Sequence, residues 1–252
     1  MWRLLESRSQ AVLQDVPVLP PGEAHVWSAS ATAPAQTTAA LVGLLHTDER
    51  TRAERFHRDV DRERYIVSRG ALRILLSRYM GIPPAALAFA YAAFGKPEIA
   101  AGTPGAGIAF NVSHSGEKVL LAFDLGPAVG IDIEAHRSDV DVLELSRMVF
   151  ADAERARLAD AHPEIRRTLF YRTWARKEAV LKGCGTGLSG EPKCIVVLGE
   201  RETADGLVGV DAGARFGIWG VRDIDAGEGF SAAVALPGND WRARSFVLDW
   251  TG

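Results

Sequence analysis

Val129-Gly130-Ile131-Asp132-Ile133-Glu134 alternates apolar and acidic residues directly after an apolar hairpin. In a β-strand successive side chains point to opposite faces, so Asp132 and Glu134 share one face, about 7 Å apart along the strand. Ile131 and Ile133 point the other way, into a core. Two carboxylates on one face of an apolar strand make a cradle for a hard divalent cation such as Mg²⁺. Alternation alone describes equally well a half-buried strand with a solvated acidic face. The neighbouring sequence has to decide between the two.

Upstream, Ile108–Val112 reads as a strand ending in the turn Asn111-Val112-Ser113-His114-Ser115-Gly116. Val119–Leu125 returns, and Gly126-Pro127 turns again. Three short strands joined by tight turns predict an antiparallel meander. The Ser-His-Ser cluster offers hydroxyl, imidazole and backbone donors to an anion. His114 is alternatively a structural histidine or half of a Ser/His hydrolase pair, although no G-x-S-x-G elbow accompanies it. In Phe94-Gly95-Lys96-Pro97 the proline holds the preceding residue extended. Lys96 therefore projects from a fixed turn, either as a point-charge phosphate ligand or as a solvated lysine. The helix predicted over 61–80 has an apolar stripe (Tyr65, Leu72, Leu75, Leu76, Tyr79) and stops at Gly81. Arg64, Arg69 and Arg73 lie off that stripe and can face one phosphate-bearing ligand. The acidic residues interleaved through 48–63 equally suit solvated i,i+4 pairs.

Downstream, 138–160 is a charged helical segment, and Pro163-Glu164 starts a strong helix, Ile165–Lys182, expected to close at Gly183. Glu178 sits beside its Phe170/Trp174/Leu181 stripe, and Lys182 follows one turn later. The pair is either an ordinary i,i+4 contact or a carboxylate completing a metal site beside a phosphate-facing lysine. From Lys193 onward strands are expected at Lys193–Leu198, Leu207–Val210, Phe216–Asp223, Phe230–Leu236 and Phe246–Trp250, as scaffold. Residues 1–28 read as irregular with one short strand, Ala24–Ser28.

The 252 residues carry a net charge of −3, with 47% hydrophobic and 24% charged residues. Such a balance gives no global attraction to nucleic acid or to an anionic membrane, so any phosphate binding is local. Cys184 and Cys194 make no disulfide framework. The N-terminus lacks an apolar signal core and no run approaches membrane-spanning length. A cytoplasmic monomer is expected.

Asp132, Glu134 and Glu178 suffice for one Mg²⁺ with open positions, and the basic groups around them suit a multi-phosphate ligand. Transfer at a phosphorus centre is the chemistry implied, where positioning and charge neutralisation do most of the work. A Mg²⁺-dependent phosphohydrolase would use the same carboxylates. A non-catalytic ligand- or partner-binding module would not need to keep them all.

Phe94–Pro97, Phe110-Asn111-Val112-Ser113-His114-Ser115, Val129–Glu134 and Trp174-Ala175-Arg176-Lys177-Glu178-Ala179-Val180-Leu181-Lys182 occur in the order and spacing of a known family. Together they resemble the Sfp-type 4′-phosphopantetheinyl transferases, in the bacterial branch with KEA after the tryptophan. The helix ending Tyr65–Arg73 and Gly229–Ala235 look similar too, so the resemblance spans roughly Glu49 to Leu236. It implies an α+β fold of two similar lobes related by a pseudo-twofold axis, each a small antiparallel sheet on a long helix. The lobes would be residues 1–127 and 128–252, with coenzyme A in the cleft between them. The implied reaction moves the phosphopantetheine arm of coenzyme A onto a serine of an apo acyl or peptidyl carrier protein, releasing adenosine 3′,5′-bisphosphate. By motif position Asp132, Glu134 and Glu178 would hold Mg²⁺, with Mn²⁺ as a substitute. Glu178, directly or through a bound water, would be the base, and Lys182 would steady the pyrophosphate and act as acid. Asp132 counts among the catalytic residues as well. Lys96, Ser113, His114 and Lys182 would bind phosphates of coenzyme A, and Arg64 and Arg52 its 3′-phosphate. Glu49 is a departure, standing where some members carry a basic residue.

Overall fold

The computed structural model describes residues 2–92, 94–104, 107–198, 203 and 205–251. The chain begins with β1 (Arg3–Glu6), β2 (Val12–Leu13) and β3 (Glu23–Ser30), followed by α1 (Ala35–Leu44), α2 (Thr47–Glu54) and α3 (Asp59–Met80). A small hairpin, β4 (Phe89–Tyr91) and β5 (Pro97–Ile99), precedes β6 (Ala109–Ser115), β7 (Lys118–Asp124) and β8 (Gly130–Ala135). Then come α4 (Val142–Val149), α5 (Asp152–Asp160), α6 (Pro163–Cys184), β9 (Leu207–Asp211), β10 (Ile218–Ile224), β11 (Phe230–Pro237) and β12 (Arg242–Asp249).

Strand alternation builds the layers. In the six-stranded sheet, ordered β2-β1-β12-β3-β7-β6, Trp27, Leu121, Phe123 and Phe246 face α1 and α3. Val26, Leu120 and Ala122 face the other way and meet Ile131, Ile133 and Val234 of the four-stranded sheet β8-β11-β10-β9. That second sheet turns Trp219, Val221, Ala233 and Ala235 towards α6. The stack is helices, sheet, sheet, helix, and each sheet carries one 22-residue helix on its outer face. Among the described residues no helix is long and apolar enough to cross a membrane.

The α+β class and the doubled unit of small sheet and long helix hold, with five differences. β8 leaves the β6–β7 hairpin to pair with β11, so the expected three-strand meander is split between the sheets. β12 returns to the first sheet and pairs parallel with β3, so that sheet is not wholly antiparallel and the halves 1–127 and 128–252 are interleaved. β1 and β2 occupy a segment expected to be irregular. Lys193–Leu198 is not a strand. Its backbone groups are taken by buried side chains: Lys177 Nζ donates to the carbonyls of Pro192 and Ile195, and the Val197 N–H donates to Glu154 at 2.9 Å.

α6 also runs through Gly183 and is closed by Gly185, whose φ of +72° suits a left-handed cap. Gly183 is small for a packing reason: a Cβ there would lie 2.4 Å from the Trp219 ring. A Cβ on Gly130 would lie 1.8 Å from the Ala179 carbonyl oxygen. The start of β8 and the end of α6 thus touch backbone to backbone, which draws the residues of both into one site.

Candidate active site along the seam of the two sheets

β6 and β8 are the edge strands of the two sheets, and an edge strand has unpaired N–H groups that need partners. Here side chains supply them. The N–H groups of Ile131, Ile133 and Ala135 donate to Asn111 Oδ1 (2.9 Å), Ser113 Oγ (3.4 Å) and Ser115 Oγ (3.0 Å). This polar ladder sets the register of β8 against β6. Asn111 lies outside the Ser-His-Ser cluster, and its signal in the sequence is a polar residue at every second position, Asn111, Ser113 and Ser115, of one strand.

Because Ile131 and Ile133 are buried between the sheets, Asp132 and Glu134 face α6. Asp132 is 2% exposed. Its Oδ1 accepts from Lys182 Nζ at 2.6 Å and from Ser113 Oγ at 2.9 Å. Lys182 Nζ also donates to Ser113 Oγ at 2.9 Å. Glu134 Oε1 accepts from the Trp174 indole N–H at 3.1 Å. Glu178 lies one turn before Lys182, which gives its ammonium to Asp132; the buried Oε1 of Glu178 has no hydrogen-bond partner, and neither has Asp132 Oδ2.

Three carboxylates this close and this buried resist ionisation. Burial first, then the neighbouring Asp132 charge, raises the pKa of Glu178, and the same causes push Glu134 up to about 7. Burial also raises Asp132, against the opposing pull of Lys182 and Ser113. Among the described residues, however, no three His, Cys, Asp or Glu side chains are gathered in a metal-holding geometry. The expected ligand set Asp132, Glu134 and Glu178 lines one face without closing into a coordination sphere, since Lys182 and Trp174 each hold one of its oxygens. The chemistry nonetheless fits a hard cation: all donors are carboxylate oxygens, and two of them are buried without a partner.

A folded-state pKa above the unfolded value means that ionisation costs stability, and the cost appears as pH rises from 4.5 towards 7 for Glu134. In divalent-free buffer Glu134→Gln is therefore expected to stabilise the protein at pH 8 by roughly 1–2 kcal/mol, discounted for partial exposure, and to confer nothing near pH 4. Thermal unfolding at the two pH values measures this; an unchanged Tm at pH 8 would refute it.

Adjacent residues on β6 face opposite sides, so His114 turns away from Ser113 towards α3. That separation removes the Ser/His hydrolase arrangement. Burial lowers the pKa of His114, followed by the positive charges of Lys182 and Arg64. Arg64 keeps a buried Nε without a partner, and its Nη1 is 3.9 Å from Asp61. A cavity of about 190 Å³ beside His114 is lined by Arg52, Tyr65, Ser68, Arg69 and Tyr91. Arg52 lies over the Tyr65 ring, 5.6 Å from its centroid.

Four expected phosphate-facing groups are placed otherwise. Ser113 Oγ spends its one proton on Asp132 and both lone pairs on Lys182 and Ile133 N–H, so it is not a free donor. Lys96 Nζ donates to three carbonyls, Lys182 (2.9 Å), Val129 (3.1 Å) and Gly183 (3.3 Å), instead of facing an anion. Arg69 and Arg73 turn inward to Glu49, which is 1% exposed and also caps α2 through the His46 N–H at 2.8 Å. Glu49 is thus the counter-ion of two buried arginines, which explains an acidic residue there. Lys177, in the middle of the Trp174–Lys182 motif, is likewise structural, paired with Glu154 at 2.6 Å in the core.

The carboxylates of Asp132, Glu134 and Glu178 with the Lys182 ammonium among them, and His114 and Arg64 on the α3 side of β6, line a seam whose chemistry suits phosphoryl transfer. Residues 128–233 match the model of the 4′-phosphopantetheinyl transferase superfamily, and residues 27–125 match that of the N-terminal part of 4′-phosphopantetheinyl transferase. The chain is 31% identical over 222 residues to the 4′-phosphopantetheinyl transferase HetI of Nostoc sp., covering 88% of this chain and 91% of that one. It is 28% identical to a 4′-phosphopantetheinyl transferase of Bacillus subtilis, covering 80% and 86%, and 31% identical to Sfp of Bacillus subtilis over 59% and 64%. The chain belongs to the 4′-phosphopantetheinyl transferase family and is an enzyme of that class.

Proposed function

We propose that this enzyme moves the 4′-phosphopantetheine arm of coenzyme A onto a serine hydroxyl of an apo acyl or peptidyl carrier protein and releases adenosine 3′,5′-bisphosphate. The observation that carries the reading is the pair of buried, unpartnered carboxylate oxygens on Asp132 and Glu178, beside the Lys182 ammonium. Mg²⁺, with Mn²⁺ as a substitute, would be held by Asp132 and Glu178 with Glu134, and would supply charge neutralisation at the pyrophosphate.

The protein side chains do the rest. Arg64, Arg52 and His114 hold the phosphates at the nucleotide end, around the cavity beside α3. Glu178, with its raised pKa, accepts the serine proton as the serine oxygen forms its bond to the pantetheine phosphorus. The bond from that phosphorus to the bridging pyrophosphate oxygen breaks, and Lys182 gives that oxygen charge and a proton. Asp132 holds Lys182 in place. The enzyme is proposed to act as a monomer in the cytoplasm.

Incubation with coenzyme A, Mg²⁺ and several apo carrier proteins, followed by mass spectrometry of the carriers, tests this. Addition of phosphopantetheine is the expected result. Coenzyme A cleavage without carrier modification would instead mean a phosphohydrolase, and binding without turnover a silent module.

A further inference from the structure

We propose that Lys96 is a positioning residue for the transfer chemistry, clamping the end of α6 to the start of β8 so that Lys182 stays on Asp132. This rests on the transferase reading. Lys96 comes from the turn after β4, outside both elements that it joins. An ammonium has three N–H donors, and here each meets a backbone carbonyl, those of Val129, Lys182 and Gly183. Val129 immediately precedes β8, three residues before Asp132. Lys182 O belongs to the residue whose side chain grips Asp132 at 2.6 Å.

One cation therefore closes a ring: Lys96 to the Lys182 backbone, along that side chain to Asp132, back through β8 to Val129 and to Lys96 again. Helix ends leave carbonyls without intrahelical partners, and a cation there is favoured by the helix dipole. The turn fixes the lysine. Gly95 has φ +77° and Pro97 follows. The backbone contact at Gly130 and Gly183 brings the two elements together, and the directional hydrogen bonds from Lys96 to carbonyls of both set their register. Without the clamp the last turn of α6 loosens and Lys182 moves relative to Asp132.

The test compares kcat and KM for coenzyme A in wild type, Lys96→Met and Lys96→Gln, with amide hydrogen exchange over 129–133 and 180–185. A misplacement of about 1 Å lowers catalysis about a hundredfold. Lys96→Met should lose kcat on that scale while KM for coenzyme A stays within about threefold, as expected for an interaction that matters in the transition state. Lys96→Gln, which keeps two donors at shorter reach, should lie between. Exchange should quicken in those two segments and not elsewhere. A raised KM with kcat retained would make Lys96 a phosphate ligand and overturn the proposal, as would unchanged exchange in both segments. If Lys96→Met does not fold, Lys96→Gln decides alone: wild-type kcat refutes the clamp. If the wild type modifies no carrier, the transferase reading fails, and hydrogen exchange still decides the clamp.

Discussion

Glu178→Gln should abolish carrier modification while leaving the protein at least as stable as the wild type. Glu178 Oε1 is buried without a partner, and burial and the Asp132 charge both oppose its ionisation. A carboxylate held like this destabilises the fold above its pKa, and glutamine of the same shape removes the charge without opening a cavity. The side chain is retained for chemistry, at a cost to stability. Its proposed roles, proton acceptor and cation ligand, both need the charge. The loss in kcat/KM should reach about a thousandfold or more, the scale of a lost general base. Mass spectrometry of the carrier and thermal unfolding in chelator measure the two halves. Wild-type turnover would remove Glu178 from the machinery. A collapse in Tm would show that its part is structural.

Lys182→Met should have the opposite stability signature. The ammonium is the only charged partner of Asp132 Oδ1 among the described residues, and Asp132 is almost wholly buried. Removing it strands a carboxylate, and breaking one side of a buried pair costs about 3 kcal/mol or more. Activity should fall as well, since no proton donor remains for the leaving group. The double variant Lys182→Met/Asp132→Asn should recover much of the stability and none of the activity. That non-additivity identifies direct coupling. Strictly additive stabilities would mean that the 2.6 Å contact carries no weight in solution.

The two signatures separate roles that one motif hides. Within Trp174–Lys182, Lys177 is a core ion pair, Trp174 orients Glu134, Glu178 is kept unpartnered, and Lys182 crosses to another strand. Sequence spacing made Glu178 and Lys182 look like a helix-surface pair. The fold parts them, because Lys182 reaches across to the buried Asp132 on β8 and leaves Glu178, buried as well, without a partner on Oε1.

Local rules determined much of this protein. Alternation over 129–134 places the isoleucines inside and the carboxylates on one face. The 3.6 period with Pro163 and Gly81 marks the two long helices, and the run of motifs points to the family. These features are written within a few residues of one another. Tertiary structure alone decided where long side chains end. Lys96 and Ser113 resemble phosphate donors in sequence, yet carbonyls and a carboxylate far along the chain saturate them. Arg69 and Arg73 face Glu49 rather than a ligand, β12 returns to the first sheet, and the buried Lys177 keeps Lys193–Leu198 from pairing as a strand. A lysine or arginine can reach several partners, and which it takes depends on what the fold buries beside it.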